Sequence, residues 1–134
     1  MFQLVYLSDK TNSIEKSDIE NILSSSRVNN KSKDITGLLL HLPEHFIQIL
    51  EGGQKQVEKV FEKICKDDRH TNVRLIFSEH AMQRDFGKWS MGFSENLKAS
   101  EIQDTIHIIN ALSNTQRFNE MQANSLRLLL KSLA

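Results

Sequence analysis

The chain has one cysteine, one proline and five glycines in 134 residues. A lone cysteine excludes an intrachain disulfide and any multi-cysteine metal site. With so little proline and glycine, no stretch reads as a flexible linker or low-complexity tract. There is no internal repeat. No apolar run approaches the ~20 residues of a membrane-spanning helix, and the N-terminus lacks the basic-then-apolar pattern of a secretory leader. Charge of one sign is missing too: 17 Lys and Arg balance 17 Asp and Glu. That balance argues against direct nucleic-acid or membrane binding as the main task. What is present, 39% hydrophobic and 25% charged residues, supports one buried core in one compact domain. The expectation is a cytoplasmic domain in a reducing setting.

Residues 2–8 read as a strand with Leu4, Tyr6 and Ser8 on one face and Val5 and Leu7 on the other. Both faces carry apolar groups, which predicts cover on both sides. A helix follows. Ser17 to Glu20 has the capping-box pattern, and Asn12 to Glu15 offers an earlier start. Its stripe of Ile19, Ile22 and Leu23 runs on into Ser26, Asn29 and Asn30, so a core-facing line ends in hydroxyl and amides. Residues 35–42 and 45–50 form a hairpin about Pro43-Glu44, with Phe46, Gln48 and Leu50 facing one way and Ile47 and Ile49 the other. Gly52-Gly53 turns the chain into a second helix, where Val57, Val60, Phe61, Ile64 and Cys65 repeat at helical spacing. Residues 72–77 and 89–93 complete a βαββαββ order, an α+β sandwich of the ferredoxin-like kind. Ser100 to Gln103 has the pattern of a third helix start, and Asn114 or Thr115 offers a cap for a fourth. Leu126, Leu128, Leu129, Leu130 and Leu133 cover more than one face of that last helix. Two C-terminal helices on the bare sheet face would bury most of them, and any left over would mark an oligomer or partner surface.

Most candidates for chemistry have a plain explanation. His41 and His45 are four apart, but Pro43 places them in a strand connection rather than on a helix, which argues against a metal site. Cys65 falls in an apolar stripe and reads as core. Gly52-Gly53 lacks the spacing and lysine of a phosphate-binding loop, and no nucleophile motif is present. Gln48 is the anomaly. It alternates with Phe46 and Leu50, so its amide points inward and needs partners for its donors and acceptor. Tyr6 is inward on a strand that is a natural neighbour, and Asn30 ends the covering helix. These three either satisfy one another as core or hold a polar, planar ligand between the two helices.

Several blocks, in order, resemble one family. Tyr6 to Ser8, Ser26-Arg27-Val28-Asn29-Asn30 and Ile35-Thr36-Gly37-Leu38-Leu39 are followed by Phe46-Ile47-Gln48-Ile49-Leu50-Glu51-Gly52, Asp67-Asp68-Arg69-His70 and Trp89-Ser90-Met91-Gly92-Phe93. They resemble the BLUF family of blue-light sensors using flavin, over roughly residues 1–96. The resemblance implies a 1–96 photosensory domain with FAD between its two helices, and a 97–134 helical extension of the same unit. It implies that Tyr6 is the photoactive tyrosine, Gln48 the switching glutamine, and Asn30 the amide at the flavin's carbonyl edge. Ile22 and Ile64 would sandwich the ring, with Phe46 also at the flavin. Ser26, Asn29, Asp67, Arg69 and His70 match positions near the ring edge, ribityl chain or phosphates. Ser8 and Trp89 or Met91 match groups around the glutamine, and the last two would relay the signal. Lys63 stands where many relatives carry arginine.

The chemistry suits those roles. A tyrosine beside an excited flavin gives up an electron and its phenolic proton, and a glutamine exchanges donor and acceptor ends by rotating or tautomerising. No substrate is required, so the expectation is a sensor rather than an enzyme. With no cyclase, phosphodiesterase or DNA-binding segment after residue 134, the signal is expected to reach a separate protein or another copy. Two other classes compete: a flavin-dependent redox enzyme, which would need room for a second reactant, and a ligand-free interaction module. Protein colour separates the last, and a reversible red shift under light separates the first two.

Overall fold

The computed structural model describes residues 1–11, 14–87, 92–94, 98–113 and 118–133. In chain order the elements are β1 (Phe2–Lys10), α1 (Lys16–Ser32), β2 (Thr36–His41), β3 (His45–Gly52), α2 (Gln54–Cys65), β4 (His70–His80), β5 (Gly92–Ser94), α3 (Ala99–Ser113) and α4 (Glu120–Leu133). The strands form one sheet in the order β4-β1-β3-β2-β5. β1 lies antiparallel between β3 and β4, β2 antiparallel to β3, and β5 parallel to β2. The first four strands with α1 and α2 have the expected ferredoxin-like α+β order.

Each sheet face has its own core. Phe2, Leu4, Tyr6, Phe46 and Leu50 pack with Ile19 and Leu23 of α1 and Val57 of α2. On the other face, Val5, Leu7, Ile47 and Ile49 pack with Ala123, Leu126 and Leu130 of α4. The strict alternation along β1 and β3 creates this division, because successive side chains leave a strand on opposite sides. Asp34, in the left-handed region at φ 56°, reverses the chain between α1 and β2. Gly52 sits where the chain packs closely: a Cβ there would lie 3.1 Å from the carbonyl oxygen of Asp34 and 3.2 Å from Ile35 Cγ1, so those neighbours would have to give way.

Several expectations need correction. α1 takes the earlier start: Glu15 caps it, and the Glu15 N–H donates to Asp18 Oδ2 at 2.9 Å. Ser17 is already inside the helix. α3 likewise begins one residue before Ser100, with the Lys98 N–H donating to Glu101 Oε1 at 2.8 Å. For α4 the cap is Asn119, whose Oδ1 accepts from the Gln122 N–H while its own N–H donates to Gln122 Oε1, both at 2.9 Å. Asn114 and Thr115 lie outside the described residues. Cys65 is exposed, since it stands about 100° round the helix from Ile64, which takes the core-facing place at the end of α2. Of the α4 leucines, Leu126 and Leu130 are buried whereas Leu128 is 67% exposed.

Candidate functional site

A cavity of about 180 Å³ opens between α1 and α2 over the β1–β3 pair. Its floor is the inward row of the sheet. Tyr6 and Gln48 are directly opposite each other across β1 and β3. Both are buried, and the Tyr6 hydroxyl donates to Gln48 Oε1. Phe46 continues the floor on β3, and Leu39 reaches it from β2, where it pairs with Gln48.

The walls are the two helices. α1 contributes Ile22, Ser26, Asn29 and Asn30, and α2 contributes Lys63 and Ile64. Asn30 is buried, and its backbone carbonyl accepts from the Ile35 N–H at 2.8 Å, which fixes the end of α1 against the start of β2. The stripe that ends in amides therefore does reach the cavity. Asn29 is exposed and meets only its rim.

Asp67, Arg69 and His70 close the end of the cavity nearest β4. Arg69 Nε donates to both carboxylate oxygens of Asp67, at 2.9 and 3.1 Å, and its Nη2 also donates to Oδ2. These bonds hold the Asp67 carboxyl below the usual range and push the Arg69 guanidinium above its own. Burial drives the Tyr6 phenol far above its ordinary value, with Cys65 and Asp67 adding to the effect. At the mouth, desolvation together with Lys63 and Lys59 lowers the Lys33 ammonium.

Ser8 does not line the cavity. It is fully buried on the same face as Tyr6 and stands behind His70, whose Nδ1 is 2.8 Å from Ser8 Oγ. Trp89 and Met91 lie outside the described residues. The site also contains Ser25, Lys33, Leu39 and Val60, which sequence reasoning did not select. Leu39 follows from hairpin register and Val60 from the α2 stripe. Ser25 and Lys33 stand at helical spacing from Ile22, Asn29 and Asn30, but a search for an apolar stripe passes over polar residues.

Residues 1–92 match the family described as BLUF, sensors of blue-light using FAD. The chain belongs to the BLUF family. The blue light- and temperature-regulated antirepressor BluF of Escherichia coli (strain K12) is 33% identical over 106 residues, covering 79% of this chain and 26% of that protein. The photoactivated adenylate cyclase subunit beta of Euglena gracilis is 30% identical over 89 residues, 66% of this chain and 10% of its own length. This BLUF chain thus spans about a quarter and a tenth of those two relatives. Solved structures of similar size include BlsA in its photo-activated state, with TM-score 0.79, 29% identity and coverage of 98% of this chain and 93% of that one. BlrB, a BLUF protein in its dark state, gives TM-score 0.77 and 26% identity over 98% of this chain and 95% of its own.

The residues of this BLUF domain fit a flavin. An isoalloxazine ring is flat and apolar on both faces, with an amide-like edge, and this cavity sets Ile22 and Ile64 on its two walls with Gln48 and Asn30 among its lining groups. Among the described residues no His, Cys, Asp and Glu cluster suits a metal ion. His41 instead meets Lys10 Nζ at 2.7 Å, and His45 meets Asp9 at 2.8 Å.

Proposed function

We propose that the chain is a blue-light photoreceptor that binds FAD non-covalently and reports illumination through the Tyr6–Gln48 pair. The carrying observation is the hydrogen bond from the Tyr6 hydroxyl to Gln48 Oε1 in the floor of the cavity. A bound flavin supplies the light absorption and, when excited, the electron-accepting power. Tyr6 provides an oxidisable ring with a proton already directed at an acceptor. Gln48 receives that proton's influence at its oxygen, and rotation or tautomerisation then changes which end of its amide faces the ligand. Asn30 anchors the polar edge, Ile22, Ile64 and Phe46 hold the ring, and Ser26 and Asn29 line the α1 side. Lys33 and Lys63 offer positive charge that favours a diphosphate-bearing flavin.

A buried phenol bonded to a buried amide favours a sensor over a redox enzyme, because the pair itself supplies the switch. We assign residues 1–96 to the cytoplasmic photosensory unit and 97–134 to its helical extension, with Trp89 and Met91 as the relay to a protein partner or a second copy. The purified protein should be yellow, release FAD on acid treatment, and show a small red shift under blue light that reverses in the dark. Colourless protein after reconstitution with FAD, or bound flavin that only bleaches, would overturn the reading. Tyr6→Phe should keep the flavin and abolish the red shift; an unchanged photocycle in that variant would exclude Tyr6 as the donor.

A further inference from the structure

His70 occupies the first position of β4, half-buried at the end of the cavity. Its Nε2 is 2.7 Å from the backbone carbonyl oxygen of Ile64. A carbonyl only accepts, so Nε2 carries the proton. Nδ1 lies 2.8 Å from the hydroxyl of the fully buried Ser8, and in the neutral ring it accepts from that hydroxyl. The imidazole therefore ties the last turn of α2, whose Ile64 side chain walls the cavity, to β1 two residues beyond Tyr6. It also meets the Tyr6 ring edge-on, with centroids 6.1 Å apart and planes at 75°. Phe61 lies 5.6 Å from the same ring, tilted at 40°. Tyr6 is thus held by an aromatic of α2 and by a histidine bonded to both neighbouring elements.

We propose that His70 is a positioning residue for the Tyr6–Gln48 pair, and that its charge state sets how readily Tyr6 yields an electron. This rests on the light-sensing reading above. The geometry lets the ring change charge without losing either bond. A serine hydroxyl both donates and accepts, so on protonation Nδ1–H donates to Ser8 Oγ while Nε2–H still donates to Ile64. The Ser8–His70 bond reverses direction as its hydroxyl turns, a positive charge appears beside Tyr6, and a cation there opposes removal of an electron from the phenol. The titratable groups around the imidazole are Tyr6 on β1, Lys10 as its register partner, Cys65 at the end of α2, and Asp67 and Arg69 in the turn before β4. Lys10 is turned away onto His41 and the carbonyls of Leu42 and Pro43, and Asp67 is neutralised by Arg69. Each is thus held by partners of its own.

The test combines two readouts. Imidazole nitrogen NMR on flavin-free protein should show the Nε2–H tautomer at His70, with the Nδ1 signal displaced in Ser8→Ala. This readout does not depend on light sensing. On the flavin-loaded protein, the red-shifted yield per absorbed photon is measured from neutral toward acid pH. Wild type should lose yield toward acid by about tenfold or more. His70→Gln, whose amide supplies one donor and one acceptor but no charge, should keep a red shift that is flat with pH. His70→Ala should lose yield at every pH, even in molecules that retain flavin and the native circular dichroism. An Nδ1–H tautomer, wild-type pH dependence in His70→Gln, or full yield in His70→Ala would overturn the proposal. A wild type without any red shift would instead overturn the light-sensing reading and leave the NMR arm to decide the positioning role.

Discussion

Burial has two consequences for Tyr6. Its phenol ionises far less readily than a free tyrosine because charge in the core lacks solvation. The folded value is raised, so stability from the neutral phenol is complete below the ordinary tyrosine range and is lost as pH rises above about 10. Tyr6 is the only tyrosine, and the ultraviolet band of tyrosinate therefore reports this residue alone. In an alkaline titration that band should appear only together with loss of circular dichroism; early growth in folded protein would show that water reaches the phenol. At this scale the sequence was informative wherever alternation decided direction. Gln48 is inward because Phe46 and Leu50 are, and Asn30 is buried because it continues the stripe of Ile19 and Leu23. The bond between Ser8 and His70 joins residues 62 apart, a contact created by the β1–β4 register that no local pattern contains.

Elements divide into those set by periodicity and those set by their ends. The α2 stripe placed Val57, Val60, Phe61 and Ile64 on the core side, yet it misassigned Cys65 because a helical stripe does not say where the sheet beneath it stops. Caps were harder to read. Ser, Asp, Asn and Glu recur before each helix, and the choice among them depends on which side chain reaches which free N–H. At Asn119 the reciprocal bonds with Gln122 make a measurable prediction. Asn119→Ala should cost about 1 kcal/mol in denaturant unfolding, and no loss would mean that tertiary packing alone positions the start of α4. Two leucines of that helix should differ sharply. Leu126→Ala should cost about 2–5 kcal/mol, whereas Leu128→Ala, at 67% exposure, should stay within about 0.5 kcal/mol. Equal effects would contradict the orientation of α4.

For the whole molecule, the sheet is a partition with the Tyr6–Gln48 cavity on one side and α4 on the other. On the α4 side, Glu51 gathers β1, β2 and residues 85–86 at one end of β3. Its buried carboxylate accepts from Gln3 Nε2 at 2.8 Å, Thr36 Oγ1 at 3.0 Å, and the backbone N–H groups of Asp85 and Phe86 at 2.6 and 2.9 Å. Gln3 Oε1 in turn accepts from Arg127 Nε of α4 at 3.0 Å. Removing residues 118–133 should expose Val5, Leu7, Ile47 and Ile49, and the shortened chain should aggregate; a soluble monomer with unchanged unfolding would show that α4 is dispensable to the core. The bond between Gln3 and Arg127 spans 124 residues, which makes the order of synthesis matter. At about 5–20 residues per second, the ribosome adds Arg127 roughly 6–25 s after Gln3. Until then Val5, Leu7, Ile47 and Ile49 lack the cover that α4 gives them. That interval, rather than any property of the finished protein, is when a chaperone has most to offer this chain.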